Sequence, residues 1–215
     1  MFELFDRKGE LTVREGSLPH WYQPGVTYFV TFRTEDSVPQ ALLRSWHARR
    51  DIWLRRHGLD PTRDDWKSKL RANPELDDEY HASFTREFMD FLDRGNGDCA
   101  LRDATLAEIV ARGLRHFDGD RYHLGDFVVM PNHVHLLVCL LGLTEIERQC
   151  KSWKRFMACE INRALARRGR FWQEESFDHL VRSPEQFEHF QRYIGENPSN
   201  AGLRPGEYLA FVRPK

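Results

Sequence analysis

The chain has 215 residues, of which 40% are hydrophobic and 30% are charged, and its formal net charge is −1. These values fit one ordinary globular domain with a sizeable core, and the balanced charge excludes a protein that coats nucleic acid indiscriminately. No apolar run approaches the roughly 20 residues that cross a bilayer. The first residues show no signal-peptide pattern and the four cysteines form no CxxC pair, so we expect a cytoplasmic protein with free thiols.

The first half of the chain predicts one strand and several helical segments. Residues 1–20 are expected to form a loosely attached arm. Alternating apolar and polar residues predict a strand at Val26–Thr34, and apolar residues at helical spacing predict a helix over Val38–His57. The stretch of about 58–100 is polar and rich in proline. We interpret it as an excursion from the core that contains an amphipathic segment at Tyr80–Leu92.

The central part of the chain predicts a helix followed by a strand hairpin. Asp103 is a good N-cap for a helix over Ala104–His116. Two strands follow, Tyr122–Met130 and His133–Leu140, and the tight connection at Pro131-Asn132 is typical of a hairpin or a sharply kinked pair.

The last part of the chain predicts two long helices. Helical spacing runs from Ile146 to Leu165 with Gly169 as its C-cap, residues 170–183 read as extended, and a second helix starts at Pro184 and stops at Pro198. Residues 206–215 are expected to be a tail, so the domain spans 21–205. Strands bracketed by helices without a strict alternation predict an α+β fold, an antiparallel sheet with helices packed on its faces.

Two histidines interrupt the apolar run "VVMPNHVHLLV". In a strand, His133 and His135 point to the same face, about 6.5–7 Å apart along the chain. Two neutral imidazoles that converge on one point suit a divalent cation. The alternative is a pair of unrelated histidines on an edge strand, and the rigid "MPN" turn before the pair favours ligation.

A third ligand would have to come from elsewhere, and the segment "QRYIGENPSNAGL" offers polar residues at helical spacing. Tyr193 and Asn197 are four residues apart and share a helical face. Tyr193 also fits a core aromatic, and Asn197 also fits a cap before Pro198. Because the residue before a proline avoids the helical conformation, we expect Asn197 at a frayed helix end with its amide oxygen projecting. Glu196 is the rival ligand.

The two motifs "MPNHVHLLV" and "YIGENPSNAGL", in this order, resemble the HUH single-tyrosine transposases. The chain is most similar to the REP-associated tyrosine transposases, whose pattern is MPNHVH…YI.xNP.xAGL. The likeness covers roughly Trp21 to Leu203 and includes "YFVTFRT", "KSWKRFMACEINRAL" and "FWQEESFDHLVRS". Two departures are a longer 58–97 stretch and Ser199-Asn200, where the family commonly has a basic residue.

The resemblance implies a fold, a cofactor, a substrate and a set of catalytic residues. The fold would be an antiparallel, ferredoxin-like sheet of HUH type, with His133, His135 and Asn197 holding Mg²⁺ or Mn²⁺. Tyr193 would be the nucleophile that forms a 5′-phosphotyrosine link and leaves a free 3′-hydroxyl on single-stranded DNA at hairpin-forming repetitive palindromes. The link keeps the phosphoester, so rejoining needs no ATP. Family relatives suggest a monomer rather than a homodimer.

The chemistry explains why these residue types would occur together. A phosphodiester is anionic, and a divalent cation neutralises the charge that grows in the transition state. A phenol with a pKa of ~10 is mostly protonated at neutral pH, so a nearby cation would favour its ionised form.

A local excess of positive charge suggests where DNA would lie. Backbone neutralisation, together with stacking on Phe171 or Trp172, would form a single-strand groove. The alternative is a solvated helix face, and Trp153 and Phe156 fit core positions better than stacking positions. The candidate DNA-binding residues are Lys151, Lys154, Arg155, Arg163, Arg167, Arg168, Arg170 and Trp172.

Two other functions compete with a transposase-type nuclease. A domesticated module that binds a DNA or RNA hairpin without cutting would bind independently of His133 and of chelators. A metal hydrolase with a His-x-His site would turn over without a tyrosine adduct.

Overall fold

A computed structural model describes residues 2–6, 12–14, 20–63, 65–142, 144–174 and 176–214. Its strands form a small two-stranded sheet and a five-stranded sheet. The strands are β1 (Thr12–Arg14), β2 (His20–Tyr22), β3 (Thr27–Arg33), β4 (Tyr122–Val129), β5 (His133–Leu140), β6 (Phe177–Leu180) and β7 (Leu209–Phe211). The α-helices are α1 (Gln40–Arg56), α2 (Trp66–Arg71), α3 (Pro74–Tyr80), α4 (Arg86–Asp93), α5 (Ala104–Arg115), α6 (Ile146–Ala164) and α7 (Pro184–Asn200).

The five-stranded sheet has the order β6-β3-β5-β4-β7, and its neighbouring strands are antiparallel. Helices lie between β3 and β4 and between β5 and β6, while β4 and β5 form a hairpin. This β-α-β-β-α-β sequence with its four-stranded antiparallel core is the ferredoxin-like arrangement. The predicted α+β fold with an antiparallel ferredoxin-like sheet is therefore confirmed.

The strand β7 lies in the segment that we predicted to be a tail outside the domain. It pairs with the end of β4, and the ring of Phe211 stacks on that of Phe127 with centroids 5.2 Å apart. That prediction was wrong because a three-residue strand carries too short a pattern to be recognised in the sequence, whereas the stacked ring and the strand pairing hold it at the sheet edge.

One face of the sheet packs against α5 and α6. Asp103 caps α5 as predicted, since its carboxylate accepts hydrogen bonds from the backbone of Thr105 and Leu106. From α6, Trp153 and Met157 are buried against even-numbered β5 residues such as Leu136. This face holds the larger apolar cluster of the protein. Burial of each large apolar side chain there contributes about 1.5–3 kcal/mol to the stability of the fold.

The other face packs against α7 and carries the two histidines. Odd-numbered residues of β5 point to this side, because side chains alternate along a strand. Phe29 of β3 stacks on Phe190 of α7 with a centroid separation of 4.3 Å and an interplanar angle of 4°, and Ile194 lies in the same cluster. The histidine face and the α6 face are thus opposite sides of one sheet.

The two long C-terminal helices agree with the prediction to different degrees. The helix α6 ends at Ala164, beside the last predicted helical position Leu165, but Leu165 rather than Gly169 is its C-cap, whereas α7 continues through Pro198 to Asn200. Proline removes one helical donor, yet the backbone N–H of Ala201 still donates to the carbonyl of Asn197 at 3.0 Å. Asn197 and Pro198 are themselves buried side chains of α7. Their packing in the interior keeps this turn helical despite the proline.

The predicted excursion contains more helix than its polar sequence suggested. A small apolar cluster of Leu54, Leu59, Trp66 and Leu70 holds α1 and α2 together. The amphipathic segment predicted over Tyr80–Leu92 is present as the end of α3, a π-helical turn and α4. Short helices such as α2 escaped prediction because their stabilising contacts come from α1 rather than from their own sequence.

Of the predicted N-terminal arm, the structure describes residues 2–6, 12–14 and 20. The backbone N–H of Phe5 donates to the carbonyl of Val181 at 3.0 Å, and that of Thr27 donates to Glu3 at 2.8 Å, so residues 2–6 lie along the sheet. Residues 7–11 and 15–19 lie outside the described part. No helix in the described residues is long and apolar enough to cross a membrane.

The cysteines provide a simple test of this packing. Burial raises the pKa of the Cys150 thiol to about 12, which leaves roughly one thiolate in ten thousand at pH 8. Cys159 on the same helix is exposed. We expect iodoacetamide to alkylate Cys159 in the native protein and Cys150 only after unfolding, as peptide mass spectrometry would show. Rapid native labelling of Cys150 would contradict the placement of α6.

Candidate active site

The two histidines lie side by side at the start of β5. His133 and His135 are fully buried, and their ring centroids are 4.6 Å apart. The hairpin turn places them next to β3, where Thr31 pairs with His135 and Arg33 pairs with His133. The predicted position on one face of a central strand is therefore observed.

A carboxylate from the excursion joins the pair. Asp93 is the last residue of α4, and its Oδ1 lies 3.3 Å from the Nε2 of His133. One ligand atom from each of Asp93, His133 and His135 lies within 4.8 Å of the others. Two imidazole nitrogens and one carboxylate oxygen form a donor set that suits a divalent cation such as Mn²⁺.

A hydrogen bond determines which nitrogen of His133 is available. The amide Nδ2 of Asn132 donates to the carbonyl of Asn96 at 2.8 Å, so the amide oxygen is the atom that faces the histidine. That oxygen lies 2.7 Å from His133 Nδ1 and can only accept. His133 Nδ1 therefore carries a proton, and Nε2 is the nitrogen that faces the cluster, 3.3 Å from Asp93 Oδ1.

His135 is held in a similar way. Its Nδ1 lies 2.7 Å from the hydroxyl of Thr31, which can accept a hydrogen bond from the ring N–H and leave Nε2 for ligation. Complete burial, and then the neighbouring His133, lower the pKa of His135 well below its ordinary value. The ring is thus neutral, as a metal ligand must be.

Asn197 and Glu196, the two alternative third ligands, occupy very different positions. The Asn197 side chain is fully buried, and its Nδ2 donates to Asp93 Oδ1 at 3.3 Å. The Glu196 side chain is exposed. Asn197 sits within a continuous helix rather than at the frayed end we expected, because α7 continues past Pro198.

Tyr193 lies one helical turn before Asn197, on the same face of α7. Its ring centroid is 5.1 Å from that of His135 and 5.9 Å from that of Phe29. Burial, and then the carboxylate of Asp93, raise the pKa of Tyr193 above its usual value. The nearby Asn197 amide acts in the opposite direction and lowers the pKa of Tyr193. The Tyr193 hydroxyl and the Asn197 amide are nevertheless not aligned for a hydrogen bond. Without added positive charge, this phenol stays protonated.

Four buried polar atoms at this point have no hydrogen-bond partner within the described residues. His133 Nε2, His135 Nε2, the Tyr193 hydroxyl and the Asn197 amide oxygen are all buried and form no hydrogen bond there. Buried polar atoms without partners are costly, at about 1–3 kcal/mol each. A divalent cation would satisfy several of them together, so the residues present fit a cation held by His133, His135 and Asp93, with the Asn197 oxygen close by.

Sequence reasoning missed Asp93 as a member of this cluster. The residue follows a predicted amphipathic segment and precedes "RGNGD", which looks like a solvated turn. The available signal was a carboxylate at the end of a helix, which is common and has no fixed spacing to the histidines. Contact between the excursion and the sheet, through the Asn132–Asn96 hydrogen bond, brings it into place.

The predicted DNA-binding residues lie on the sheet face opposite the histidines, and two of them are buried. Lys154 is only 8% exposed, and its Nζ donates to the backbone carbonyls of Gln173 and Glu174. Trp172 is 3% exposed and packs edge-on against Phe32. Neither can take its expected role without rearrangement, because core packing already occupies both side chains. The exposed members of the set are Lys151, Arg155, Arg163, Arg167, Arg168 and Arg170.

Three other side chains from the sequence analysis have clear positions. Phe156, which we assigned to the core, is 45% exposed, whereas Trp153 is buried as expected. Phe171 is buried, and the Arg167 guanidinium lies 4.9 Å from its ring centroid, so stacking of a base on this ring is also excluded.

Comparison with known proteins gives one structural likeness. No protein-family model matches the chain, and no curated protein does. The chain is similar to a solved structure described as "Structure of the REP associates tyrosine transposase bound to a REP hairpin". The likeness covers 91% of this chain and 92% of the other, at 14% identity and a TM-score of 0.46. A likeness at this level does not decide activity.

Asn132 offers a direct test of how the cluster is oriented. Replacing Asn132 by Leu removes the acceptor that fixes the His133 proton, so we expect Mn²⁺ affinity to fall by about 10- to 100-fold. Asn132→Asp keeps an acceptor for His133 Nδ1 but loses the donor to the Asn96 carbonyl, so its Mn²⁺ affinity should lie between those of Asn132→Leu and wild type. Isothermal titration with Mn²⁺ measures both. Equal affinity of Asn132→Leu and wild type would contradict this role.

Proposed function

We propose that this protein is a metal-dependent, tyrosine-type endonuclease and strand transferase that acts on single-stranded, hairpin-forming DNA. It would belong to the REP-associated tyrosine transposases, as its two motifs imply. One observation carries the proposal: the Tyr193 ring lies 5.1 Å from the ring of His135, beside a cluster that suits a divalent cation. A buried tyrosine beside ligand atoms without hydrogen bonds lowers the stability of the fold. Arrangements of this kind are typical of functional sites.

The covalent step needs no cofactor beyond a cation. The Tyr193 oxygen forms a bond to the scissile phosphorus while the bond from phosphorus to the 3′ oxygen breaks. The phenol loses its proton and the 3′ oxygen gains one, so the products are a 5′-phosphotyrosine and a 3′-hydroxyl. The reverse reaction with another 3′-hydroxyl joins strands without ATP because the phosphoester is retained.

The residues of the site have separate roles in this proposal. His133, His135 and Asp93 hold the cation, with Asn197 as the remaining candidate ligand. A bound Mg²⁺ or Mn²⁺ would supply positive charge beside the phosphate oxygens and the phenol. The apolar packing of Tyr193 against Phe29 restricts the ring to one approach and limits water around it.

The DNA path is proposed from basic side chains on both faces of the sheet. Arg33, which is partly buried, lies opposite His133 on the same sheet face. The exposed basic residues of α6 lie on the other face of the sheet, so they would contact a different part of the DNA, such as the duplex of a hairpin.

A covalent-adduct assay tests the proposal. The protein is incubated with a labelled single-stranded hairpin oligonucleotide and Mg²⁺ or Mn²⁺, and the products are separated on a denaturing protein gel. With the label at the 3′ end of the oligonucleotide, on the fragment that the tyrosine captures, we expect a labelled band at the mass of protein plus that fragment, absent with EDTA. Salt-sensitive hairpin binding that yields no adduct under any divalent cation would favour the binding module, and metal-dependent cleavage without an adduct would favour the hydrolase.

A further inference from the structure

A pocket between α1 and α4 is not used by the proposed chemistry. Its volume is about 110 Å³, and its lining combines flat aromatic rings with charged groups at the rim. Leu42 in its wall is 37% exposed, so the pocket is accessible from solvent. The side chains that matter for recognition are Trp46, Phe88, Phe91, Arg49, Glu87 and Arg94.

The lining indicates the chemistry of the occupant. An enclosed apolar cavity of ~150 Å³ holds benzene. The pocket is smaller, at about 110 Å³, but it opens to solvent, so a flat ring would insert one edge between the aromatic walls while the rest lies in the mouth. Aromatic walls favour a ring that can stack on them, and guanidinium groups at the rim favour an anionic group outside. Arg49 is already paired with Glu87 at 2.8 Å, which suits an uncharged occupant with hydrogen-bonding edges. A nucleobase attached to its phosphate has these properties.

The pocket lies on a different face of the helix that supplies Asp93. Glu87, Phe91 and Arg94 recur at helical spacing along and just beyond α4 and line the pocket. Asp93 and Asp90 lie on another face, near enough to Tyr193 to raise its pKa. A helix is about 10 Å across, a distance that one or two nucleotides of extended single strand can span.

One residue links the pocket and the histidine cluster. Arg33 pairs with His133 across the sheet, so both side chains lie on the same face. The Arg33 guanidinium lies 5.0 Å from the ring centroid of Phe88, which belongs to the pocket wall. A phosphate between the cluster and the pocket would therefore meet a positive charge along the way.

We infer that this pocket binds one unpaired nucleobase of a DNA strand whose phosphate lies at the histidine cluster. The inference rests on the proposed function, because it takes single-stranded DNA as the ligand. In this inference α4, which belongs to the excursion, helps to recognise the base, a role that the two histidine and tyrosine motifs do not provide.

The experiment compares two strands that differ only in their bases. A fluorescein-labelled oligothymidylate and an abasic strand of the same length are titrated with protein carrying Tyr193→Phe, without divalent cation, so that no cleavage occurs. Phe91→Leu keeps apolar volume but removes the stacking face. It should weaken oligothymidylate binding about tenfold, since one base stacked on an aromatic ring contributes that much or more. Binding of the abasic strand should not change.

Matched controls make the result specific. Phe156→Leu is the same substitution at an exposed ring on the opposite face of the sheet, and it should leave both affinities unchanged. Arg94→Glu at the exposed rim should weaken binding of both strands, and Arg44→Glu, on α1 but outside the pocket, should do so much less.

Three outcomes would overturn the inference. If Phe91→Leu leaves oligothymidylate binding unchanged while wild type still forms the tyrosine adduct, the pocket assignment fails and the proposed function stands. An equal loss for both strands would assign Phe91 a structural role only. If wild type neither binds these strands nor forms an adduct, the proposed function and the pocket assignment fail together.

Discussion

The Tyr193→Phe variant is expected to form no covalent protein–DNA adduct, a loss of more than about a thousandfold relative to wild type. The substitution removes the only atom that can form the phosphotyrosine bond in the proposed reaction, and effects of this size are usual for nucleophiles. The readout is the labelled band on the denaturing gel. Hairpin binding by the same variant should be unchanged, because the ring and its contacts with Phe29 and His135 remain.

The free energy of unfolding of Tyr193→Phe provides a second, independent test. The Tyr193 hydroxyl is buried and makes no hydrogen bond to the described residues. Removing a buried polar group without a partner is neutral or stabilising, so the free energy of unfolding should stay level or rise by up to about 1 kcal/mol without metal. Tyr208→Phe, on the same side of the sheet, is the matched control and should keep full adduct formation. Retention of the adduct in Tyr193→Phe would refute the assignment of the nucleophile.

The Asp93→Asn variant is expected to lose more than about a hundredfold in Mn²⁺ affinity, and cleavage with it. The change keeps the size of the side chain and a polar atom near His133 Nε2 but removes the negative charge from the ligand set. Isothermal titration measures the affinity directly. Thermal unfolding gives a second readout, since saturation at a hundred times Kd stabilises the native state by about 2.7 kcal/mol.

Two further variants separate Asp93 from its neighbours. Asp90→Asn removes a carboxylate from the same helix, also near Tyr193, and should bind Mn²⁺ like wild type. Asn197→Leu tests the ligand that the sequence resemblance implies. Normal Mn²⁺ binding by Asp93→Asn, together with a large loss in Asn197→Leu, would assign the third position to Asn197 and exclude Asp93.

The sequence carried enough information for the sheet and for one half of the site. Alternating residues in β3, β4 and β5 determine which side of each strand is buried, and His133 and His135 follow from that pattern alone. The spacing of Tyr193 and Asn197 likewise follows from one helix. These are local relations, in which the period of the backbone directly gives the direction of the side chain.

Contacts between distant segments were not predictable in the same way. Asp93 reaches the histidines because the loop after α4 is anchored to the hairpin turn by Asn132 and by the Leu101–Pro131 backbone hydrogen bond. The burial of Lys154 and Trp172 depends on how the segment after α6 folds back on the sheet. A run of basic residues shows charge but does not show which members face the core.

The position of Asp93 on an inserted helical segment has a thermodynamic consequence. A cation that binds only the arrangement with α4 docked on the sheet must stabilise that docking, and detachment of α4 must release the cation. Free divalent-ion concentration would then act as an input that determines what fraction of molecules is assembled for cleavage. Protease resistance of the inserted segment would rise along the same titration curve.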